Sequence, residues 1–151
     1  MIKIGIIGTG RLGVQHLERL LESPYFKVVG CYDREQTKLN SIHEEFGIPC
    51  FDDVDALINR CDAVDILTPS DAHFFYAEKA IRFGKHVFLD KPISNTVEDA
   101  KKLVELIREA GIVFQVGHIE RYNPAFMSLQ QQNLQPMFIE SHRLSQFDAK
   151  R

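Results

Sequence analysis

Residues 2–13 read IKIGIIGTGRLG, an apolar run followed at once by a glycine-rich turn. The run at residues 2–7 is typical of a strand that is buried on both faces of a parallel sheet. The turn matches GxGxxG between this strand and a predicted helix, which is the context that the dinucleotide-binding fingerprint requires. A pyrophosphate would then meet backbone N–H groups at the start of the helix. The candidate cofactor-binding residues of the turn are Gly8, Thr9, Gly10, Arg11, Leu12 and Gly13.

Strand-like and helix-like segments alternate through most of the chain. Apolar runs predict further strands at 26–32, 63–67, 86–89 and 112–116, with a short one near 49–51. Helical periodicity predicts helices at 11–22, 35–46, 54–59, 71–83 and 97–110. Such alternation specifies right-handed crossovers and therefore an α/β fold with a doubly wound parallel sheet, the Rossmann fold.

The two clearest helices have predicted ends and buried faces. Thr96 is expected to cap the helix at 97–110 together with Asp99, and Gly84 is expected to end the helix at 71–83. The residues expected to face the core are Ala72, Phe75, Ala77, Ala80 and Ile81 in the first of these helices, and Val97, Ala100, Leu103, Val104, Ile107 and Ala110 in the second.

The chain changes character near Pro124. Residues 1–124 are expected to form the dinucleotide-binding domain, and 125–151 to be a connection and the start of a C-terminal α/β domain that is truncated away. Within that tail, 125–135 predict one helix. Residues 137–147 alternate apolar and polar side chains and predict a strand without a partner in this chain.

Composition narrows the possible partners. The 151 residues include 18 Lys plus Arg and 21 Asp plus Glu, a net charge of −3, so neither nucleic acid nor a membrane surface is an expected partner. The chain shows no signal-peptide pattern and no apolar stretch long enough to span a membrane. Three cysteines without a CxxC pair argue against a disulfide framework or a zinc site. A cytoplasmic location is therefore expected.

Asp33 lies twenty residues after Gly13, at the end of the second predicted strand. That position suits an acid that accepts hydrogen bonds from the adenosine ribose, although Asp33 could instead be a turn acid or a helix cap. Arg34 could hold a 2′-phosphate or stack on adenine. Because Asp33 would repel a 2′-phosphate, NAD is the predicted cofactor, with NADP possible.

Polar residues follow three further predicted strands. Thr68, Pro69 and His73 come after one, although a histidine in the position of His73 is more often a surface or packing residue than a ligand. Asp90 and Lys91 end the next strand, where Lys91 could orient the nicotinamide ribose or a substrate hydroxyl, or simply be an exposed turn residue. Arg121 follows the last strand and could bind a phosphate or carboxylate, or form a salt bridge. No ligand set for a metal is evident.

Taken together, IGIIGTGRLG, Asp33-Arg34, TPSDAHF at 68–74, DKP at 90–92 and GHIERYNP at 117–124 closely resemble the Gfo/Idh/MocA family of oxidoreductases. The resemblance covers about residues 1–145. It implies that the glycine-rich turn and Asp33 bind NAD or NADP, and that Lys91 is a catalytic residue beside nicotinamide and substrate. Asp90 replaces the glutamate that is usual in the family's Glu-Lys-Pro motif.

The resemblance also implies a second domain that covers a sugar-type substrate, supplies further catalytic residues and often forms the interface of a homo-oligomer. The GHIERYNP loop is similar to that of members proposed to oxidise nucleotide sugars, and biliverdin reductases share the architecture. The leading hypothesis is an NAD(P)-dependent dehydrogenase of a sugar, cyclitol or nucleotide-sugar alcohol. A non-catalytic dinucleotide sensor and an S-adenosylmethionine methyltransferase are the alternatives.

Overall fold

The computed structural model describes residues 1–130, 132, 135–142 and 144. The chain divides into two compact units, Met1–His118 and Ile119–Arg151. In the part of the chain that is described, no helix is both long and apolar enough to cross a membrane.

The first unit is built on a five-stranded sheet in the order β2-β1-β3-β4-β5, with every neighbouring pair parallel. This arrangement confirms the predicted doubly wound parallel sheet. Because the strand order reverses between β1 and β3, the carboxyl ends of these two strands flank the crevice in which such sheets bind ligands. The strands are β1 (Ile2–Ile7), β2 (Phe26–Tyr32), β3 (Ala63–Ile66), β4 (His86–Asp90) and β5 (Phe114–Gly117).

The described helices begin and end close to their predicted positions. The Thr96 hydroxyl accepts a hydrogen bond from the Asp99 N–H at 3.1 Å, which confirms the predicted cap. A single turn of 3-10 helix, Ser70–Ala72, precedes the fourth helix, and another, Ile119–Tyr122, opens the second unit. The α-helices are α1 (Arg11–Glu22), α2 (Gln36–Phe46), α3 (Val54–Asn59), α4 (His73–Arg82), α5 (Val97–Ala110) and α6 (Pro124–Gln130).

Adjacent residues of β1 point to opposite sides of the sheet and enter different cores. Ile6 packs in a cluster with Leu17 of α1 and Leu39 of α2. Ile7 packs in a second cluster with residues of α3, α4 and α5, among them Leu103. Both isoleucines are fully buried, so the sheet is covered on both faces, as its nearly continuous apolar strands predict.

The helix faces predicted on α4 and α5 are partly wrong. Phe75 is 56% exposed, and Val97 and Val104 are 64% and 39% exposed. Ala110 is also exposed. The other part of the prediction is confirmed, since Ala77, Ala80, Ile81 and Leu103 are buried. Because α4 and α5 pack against each other as well as on the sheet, Tyr76, which was not predicted, joins this buried face.

Among the described residues, two of the predicted strands are not observed as strands. Near 49–51 only Cys50 forms a bridge, to Cys31, because Pro49 has no N–H with which to extend a ladder. Of the predicted strand at 137–147, residues 137–142 and 144 are described and lie in no strand, whereas 143 and 145–147 are outside the described residues. Of the helix predicted at 125–135, residues 125–130 lie in α6, 132 and 135 lie in no helix, and 131, 133 and 134 are outside the described residues.

A partly buried contact between a histidine and an aspartate joins α1 to the sheet. The Nδ1 atom of His16 lies 2.8 Å from a carboxylate oxygen of Asp65, in the middle of β3. This hydrogen bond raises the pKa of His16 above its ordinary value; burial opposes the effect, and the charges of Asp65 and Asp90 add to it. The helix that begins at the glycine-rich turn is therefore held to the sheet partly by a titratable contact.

We expect the stability of the chain to fall as this pair loses its proton. A histidine whose pKa is raised by folding contributes stability that is fully present below its unfolded pKa, about 6.5, and is lost as the pH rises through the folded value. His16→Gln should therefore lower Tm more at about pH 6 than at about pH 9. His118→Gln, a change at an exposed histidine, is the control. Parallel Tm profiles for the native chain and His16→Gln would contradict this account.

Candidate functional site: a cleft at the carboxyl edge of the sheet

A cleft with a volume of about 670 Å³ lies where the strand order reverses. Its walls come from the segments that follow β1, β2 and β3 and from the end of β4. The lining residues are Gly8, Gly10, Arg11, Leu12, Tyr32, Asp33, Arg34, Glu35, Lys38, Leu67, Thr68, Pro69, Tyr76 and Asp90. Nine of the residues predicted to bind cofactor therefore come together here: Gly8, Gly10, Arg11, Leu12, Asp33, Arg34, Thr68, Pro69 and Asp90.

The three glycines of the turn are needed for three different reasons. Gly8 has φ of +99°, and a Cβ there would lie 2.7 Å from the carbonyl carbon of Leu67. A Cβ on Gly13 would collide with the carbonyl oxygen of Gly8, so this glycine allows helix and turn to touch. At Gly10, by contrast, a Cβ would meet no described atom within 4 Å. The space above Gly10 is open cleft, as the predicted approach of a pyrophosphate requires.

Asp33 is fixed by three hydrogen bonds. Its Oδ2 accepts the Thr9 N–H at 2.7 Å and the Thr9 hydroxyl at 3.0 Å, and its Oδ1 accepts the Glu35 N–H at 3.0 Å. Burial opposes ionisation, but the bonds from Glu35 and Thr9 outweigh it and lower the pKa of Asp33. Since a carboxylate has about four acceptor sites, one site remains, on Oδ1. Asp33 is thus a turn acid that can still accept one hydroxyl group from a ligand.

Two tyrosines form an aromatic wall beside this acid. Tyr32 precedes Asp33 at the end of β2, and its ring centroid lies 6.1 Å from that of Tyr76 on α4, in an edge-to-face arrangement. Burial, together with the neighbouring Tyr32, raises the pKa of Tyr76 to about 12. The Tyr76 hydroxyl therefore stays protonated at neutral pH and adds no charge to this wall.

The far end of the cleft carries an acid and a hydroxyl group. Asp90, at the end of β4, is half-buried and contributes to the lining. The hydroxyl of Thr68 is buried and has no hydrogen-bond partner among the described residues. Lys91, the predicted catalytic residue, is exposed and does not itself line the cleft.

His73, a predicted cofactor-binding residue, does not line the cleft. The ring is 1% exposed, with Nδ1 2.6 Å from the carbonyl oxygen of Pro92 and Nε2 2.9 Å from that of Thr68. Both ring nitrogens are therefore occupied by backbone. His73 connects the segment after β3 to the segment after β4, and so holds together two strand ends that border the cleft.

Five lining residues were not predicted from the sequence: Tyr32, Glu35, Lys38, Leu67 and Tyr76. Tyr32 and Glu35 are close neighbours of Asp33 along the chain, so their position next to the predicted acid was an available signal. Lys38 forms an ion pair with Glu35 one helical turn away. Tyr76 follows His73 by three residues and thus shares its side of α4, but only the fold brings that side to the cleft.

Arg121 lies in the second unit, Ile119–Arg151, and is exposed there. In the same unit the Asn123 side chain donates to Glu120 at 2.9 Å and accepts the Ala125 N–H at 3.0 Å, which orders the start of α6. Within the described residues, no group of three or more His, Cys, Asp or Glu side chains is placed to hold a metal ion.

The sheet order, the glycine-rich turn and the acid after β2 together define a dinucleotide-binding Rossmann fold. The model of the oxidoreductase family Gfo/Idh/MocA, described as an NAD-binding Rossmann fold, matches residues 2–118. The chain belongs to this family. Membership argues against the methyltransferase alternative and for NAD as the class of cofactor.

Three relatives illustrate the likeness. One is UDP-N-acetylglucosamine 3-dehydrogenase from Acidithiobacillus ferrooxidans, which is 33% identical; the alignment covers 99% of this chain and 47% of that enzyme. The solved structure of the same enzyme matches with a TM-score of 0.81 and covers 86% of this chain and 42% of its own. The NAD-dependent scyllo-inositol 2-dehydrogenase of Bacillus subtilis is 33% identical over 83% of this chain and 38% of its own length.

The structure of a biliverdin reductase from Synechocystis sp. PCC 6803, in complex with biliverdin and NADP⁺, is 30% identical. It matches 86% of this chain and 42% of that chain with a TM-score of 0.79. The chain thus spans less than half the length of each of these relatives.

Two glycine substitutions should separate binding from folding. Gly10→Ala adds a methyl group to open cleft, so it should leave stability nearly unchanged but weaken NAD binding about tenfold, or about 1.4 kcal/mol. Gly13→Ala pushes a methyl group against the Gly8 carbonyl and should lower the free energy of unfolding by roughly 1–3 kcal/mol. Urea denaturation and calorimetric titration with NAD test both. Equal loss of stability in the two variants would contradict the assignment of the open space to cofactor.

Proposed function

We propose that this chain is the cofactor-binding part of an NAD-dependent dehydrogenase that moves a hydride between nicotinamide C4 and the alcohol carbon of a sugar-type substrate. The observation that carries the proposal is the cleft, in which the glycine-rich turn, Asp33 and the polar end at Thr68 and Asp90 border one space. The named activities of the relatives favour a catalytic role over a purely sensory one.

The cleft favours a dinucleotide bound with its pyrophosphate over Gly10 and its adenosine ribose at Asp33. The first turn of α1 contains no acidic side chain, and its N–H groups lack helical partners, so it suits an anion. The free acceptor site of Asp33 suits a ribose hydroxyl and opposes a 2′-phosphate. Arg34 and Lys38 line the same end and would partly offset that repulsion. NAD is therefore the preferred cofactor, and NADP a weaker one.

A nucleotide sugar is the substrate class that the likeness supports best. The alignment with UDP-N-acetylglucosamine 3-dehydrogenase extends over 99% of this chain, compared with 83% for the inositol dehydrogenase. It therefore includes residues 117–124, GHIERYNP, the segment singled out from the sequence. Arg121 in this segment is a candidate for binding an acidic group of such a substrate.

Lys91 is proposed as the residue that assists proton movement at the substrate hydroxyl. It follows Asp90, which lines the cleft, and it precedes Pro92, whose carbonyl oxygen is bound by His73. Its ammonium group is exposed, so a substrate that enters from solvent can reach it. Hydride supplied or accepted by nicotinamide is the cofactor's chemistry; the role of this chain is to bind the dinucleotide and present Lys91.

Other parts of the proposal concern the whole protein. Residues 1–124 are proposed to be the dinucleotide-binding domain, and 125–151 to lead into an α/β domain that covers the substrate and forms a homo-oligomer interface. The relatives' greater length supports this organisation. The net charge of −3 supports the absence of nucleic-acid and membrane partners, and the three free cysteines fit a reducing cytoplasm.

Asp33→Ala should weaken NAD binding roughly tenfold or more, since hydrogen bonds to a charged group are worth about 1.5–3 kcal/mol. The ratio of NAD to NADP affinity should fall at the same time, because the repulsion of the 2′-phosphate is removed. Asp62→Ala is the matched control: Asp62 is exposed, precedes β3 at the opposite edge of the sheet and binds the Lys3 N–H. Tighter binding of NADP than of NAD by the native chain would disprove the cofactor preference.

Lys91→Ala, assayed in the whole protein with UDP-N-acetylglucosamine and NAD, should lower kcat by roughly 10² while Tm stays nearly constant, which is typical of a lost proton-transfer group. Lys101→Ala, a change at an exposed lysine of α5, controls for loss of surface charge. Near-normal turnover by Lys91→Ala would show that Lys91 is only a turn residue. Turnover with inositols but not with the nucleotide sugar would overturn the substrate class alone.

A further inference from the structure

Two cysteines face each other behind the ribose end of the cleft. Cys31 lies in β2, and Cys50 lies between α2 and α3. Backbone hydrogen bonds clamp the two residues: the Cys31 N–H donates to Pro49 at 3.0 Å, and the Phe51 N–H donates to Cys31 at 2.9 Å. These bonds make Cys31 and Cys50 direct partners in a parallel bridge, with their Sγ atoms 3.4 Å apart.

This arrangement is close to that of a disulfide. Partners on adjacent strands are about 4.8 Å apart, within the Cα separation of about 4.4–6.8 Å that disulfides span. The sulfur atoms would have to approach each other by little more than 1 Å to reach the roughly 2.05 Å of an S–S bond. The third cysteine, Cys61, packs in the core on the other face of the sheet, where its thiol donates to the Leu57 carbonyl at 3.1 Å.

The two thiols differ in access to solvent. Cys31 is fully buried, whereas Cys50 is partly exposed. Burial, together with the neighbouring Cys50, raises the pKa of the Cys31 thiol well above its ordinary value. A small oxidant would therefore reach Cys50 first, and Cys31 would be protected until its neighbour had reacted.

We propose that Cys31 and Cys50 form a peroxide-sensitive dithiol that closes to an intramolecular disulfide. The Cys50 thiolate attacks one oxygen of the peroxide, releasing hydroxide and becoming a sulfenic acid. The Cys31 sulfur then attacks the Cys50 sulfur, and the hydroxyl group of the sulfenic acid leaves as water. Overall, two thiols and one hydrogen peroxide give one disulfide and two waters, so the two electrons lost by the sulfurs reduce the peroxide.

The disulfide would change the cofactor site because Cys31 is followed directly by Tyr32 and Asp33, both of which line the cleft. Drawing Cys31 towards Cys50 moves the end of β2 away from the glycine-rich turn, to which Asp33 is bound through Thr9. This consequence rests on the proposed role of Asp33 with the ribose, whereas the formation of the disulfide does not. The oxidised chain is expected to bind NAD more weakly.

The test is to treat the folded chain with hydrogen peroxide and count free thiols. We expect two of the three cysteines to become unreactive, the mass of the monomer to fall by two hydrogen atoms, and peptide mapping to show Cys31 linked to Cys50. A dithiol reductant should restore all three thiols. Three reactive thiols after treatment, a link that includes Cys61, covalent dimers, or a sulfinic acid on Cys50 without a link would each overturn the proposal.

Two variants complete the experiment. Cys61→Ala should still form the disulfide, and Cys50→Ala, in which the partly exposed partner is removed, should not. NAD titrations of the native chain before and after oxidation measure the coupling separately. If the oxidised chain binds NAD more weakly and the reductant reverses this, the coupling is supported. Equal affinity for NAD in the reduced and oxidised chains would overturn the coupling. Failure of the reduced chain to bind NAD would instead count against the proposed function, so the two failures are distinguishable.

Discussion

The carboxylate of Asp33 joins the two walls of the cofactor cleft. One oxygen holds the backbone and hydroxyl of Thr9 in the glycine-rich turn, and the other holds the backbone of Glu35 at the start of α2. These bonds keep Asp33 ionised, with its pKa lowered despite partial burial, and oriented before any ligand arrives. Beside these bonds, the end of β2 is joined to the glycine-rich turn by the Gly8 N–H, which donates to the Tyr32 carbonyl at 2.8 Å. A ligand that bonds to Asp33 meets an acceptor that needs no rearrangement.

The remaining strand ends are held by similar links between side chain and backbone. His73 ties the segment after β3 to the segment after β4, and His16 ties α1 to the middle of β3. Each link is buried or half-buried, and the His73 link lies at the carboxyl edge of the sheet. The apolar cores position the helices, while these polar contacts set the positions of the short segments that line the cleft. Such pre-positioning reduces the cost of ordering a site when a ligand binds.

The sequence predicted those features whose cause is local. The strand before GTGRLG, the role of Gly8 and Gly13, and the presence of Asp33 at the cleft all follow from spacing along one βαβ unit. What it missed depends on contacts between distant segments. His73 can connect two strand ends only because the carbonyl of Pro92, nineteen residues later, lies beside it. Tyr76 reaches the cleft only because α4 packs with that side chain against Tyr32 of β2.

The errors in the predicted helix faces have a related origin. Periodicity shows that α4 and α5 each have an apolar side but does not show which part of it the neighbouring helix covers. Phe75, Val97 and Val104 were therefore assigned to the core, although they are exposed. Apolar alternation at 137–147 likewise says nothing of a pairing partner, and the described residues there are in no strand.

Binding of the dinucleotide in the cleft between Gly10 and Asp33 can be followed by amide NMR during titration with NAD. The largest shifts are expected at the N–H groups of Thr9, Gly10, Arg11 and Glu35, which surround the pyrophosphate and ribose positions. Amides at the opposite edge of the sheet, such as Lys3 and Asp62, should be unaffected. Saturable binding of NAD with its largest shifts at that opposite edge, and none at Gly10 or Glu35, would contradict the account.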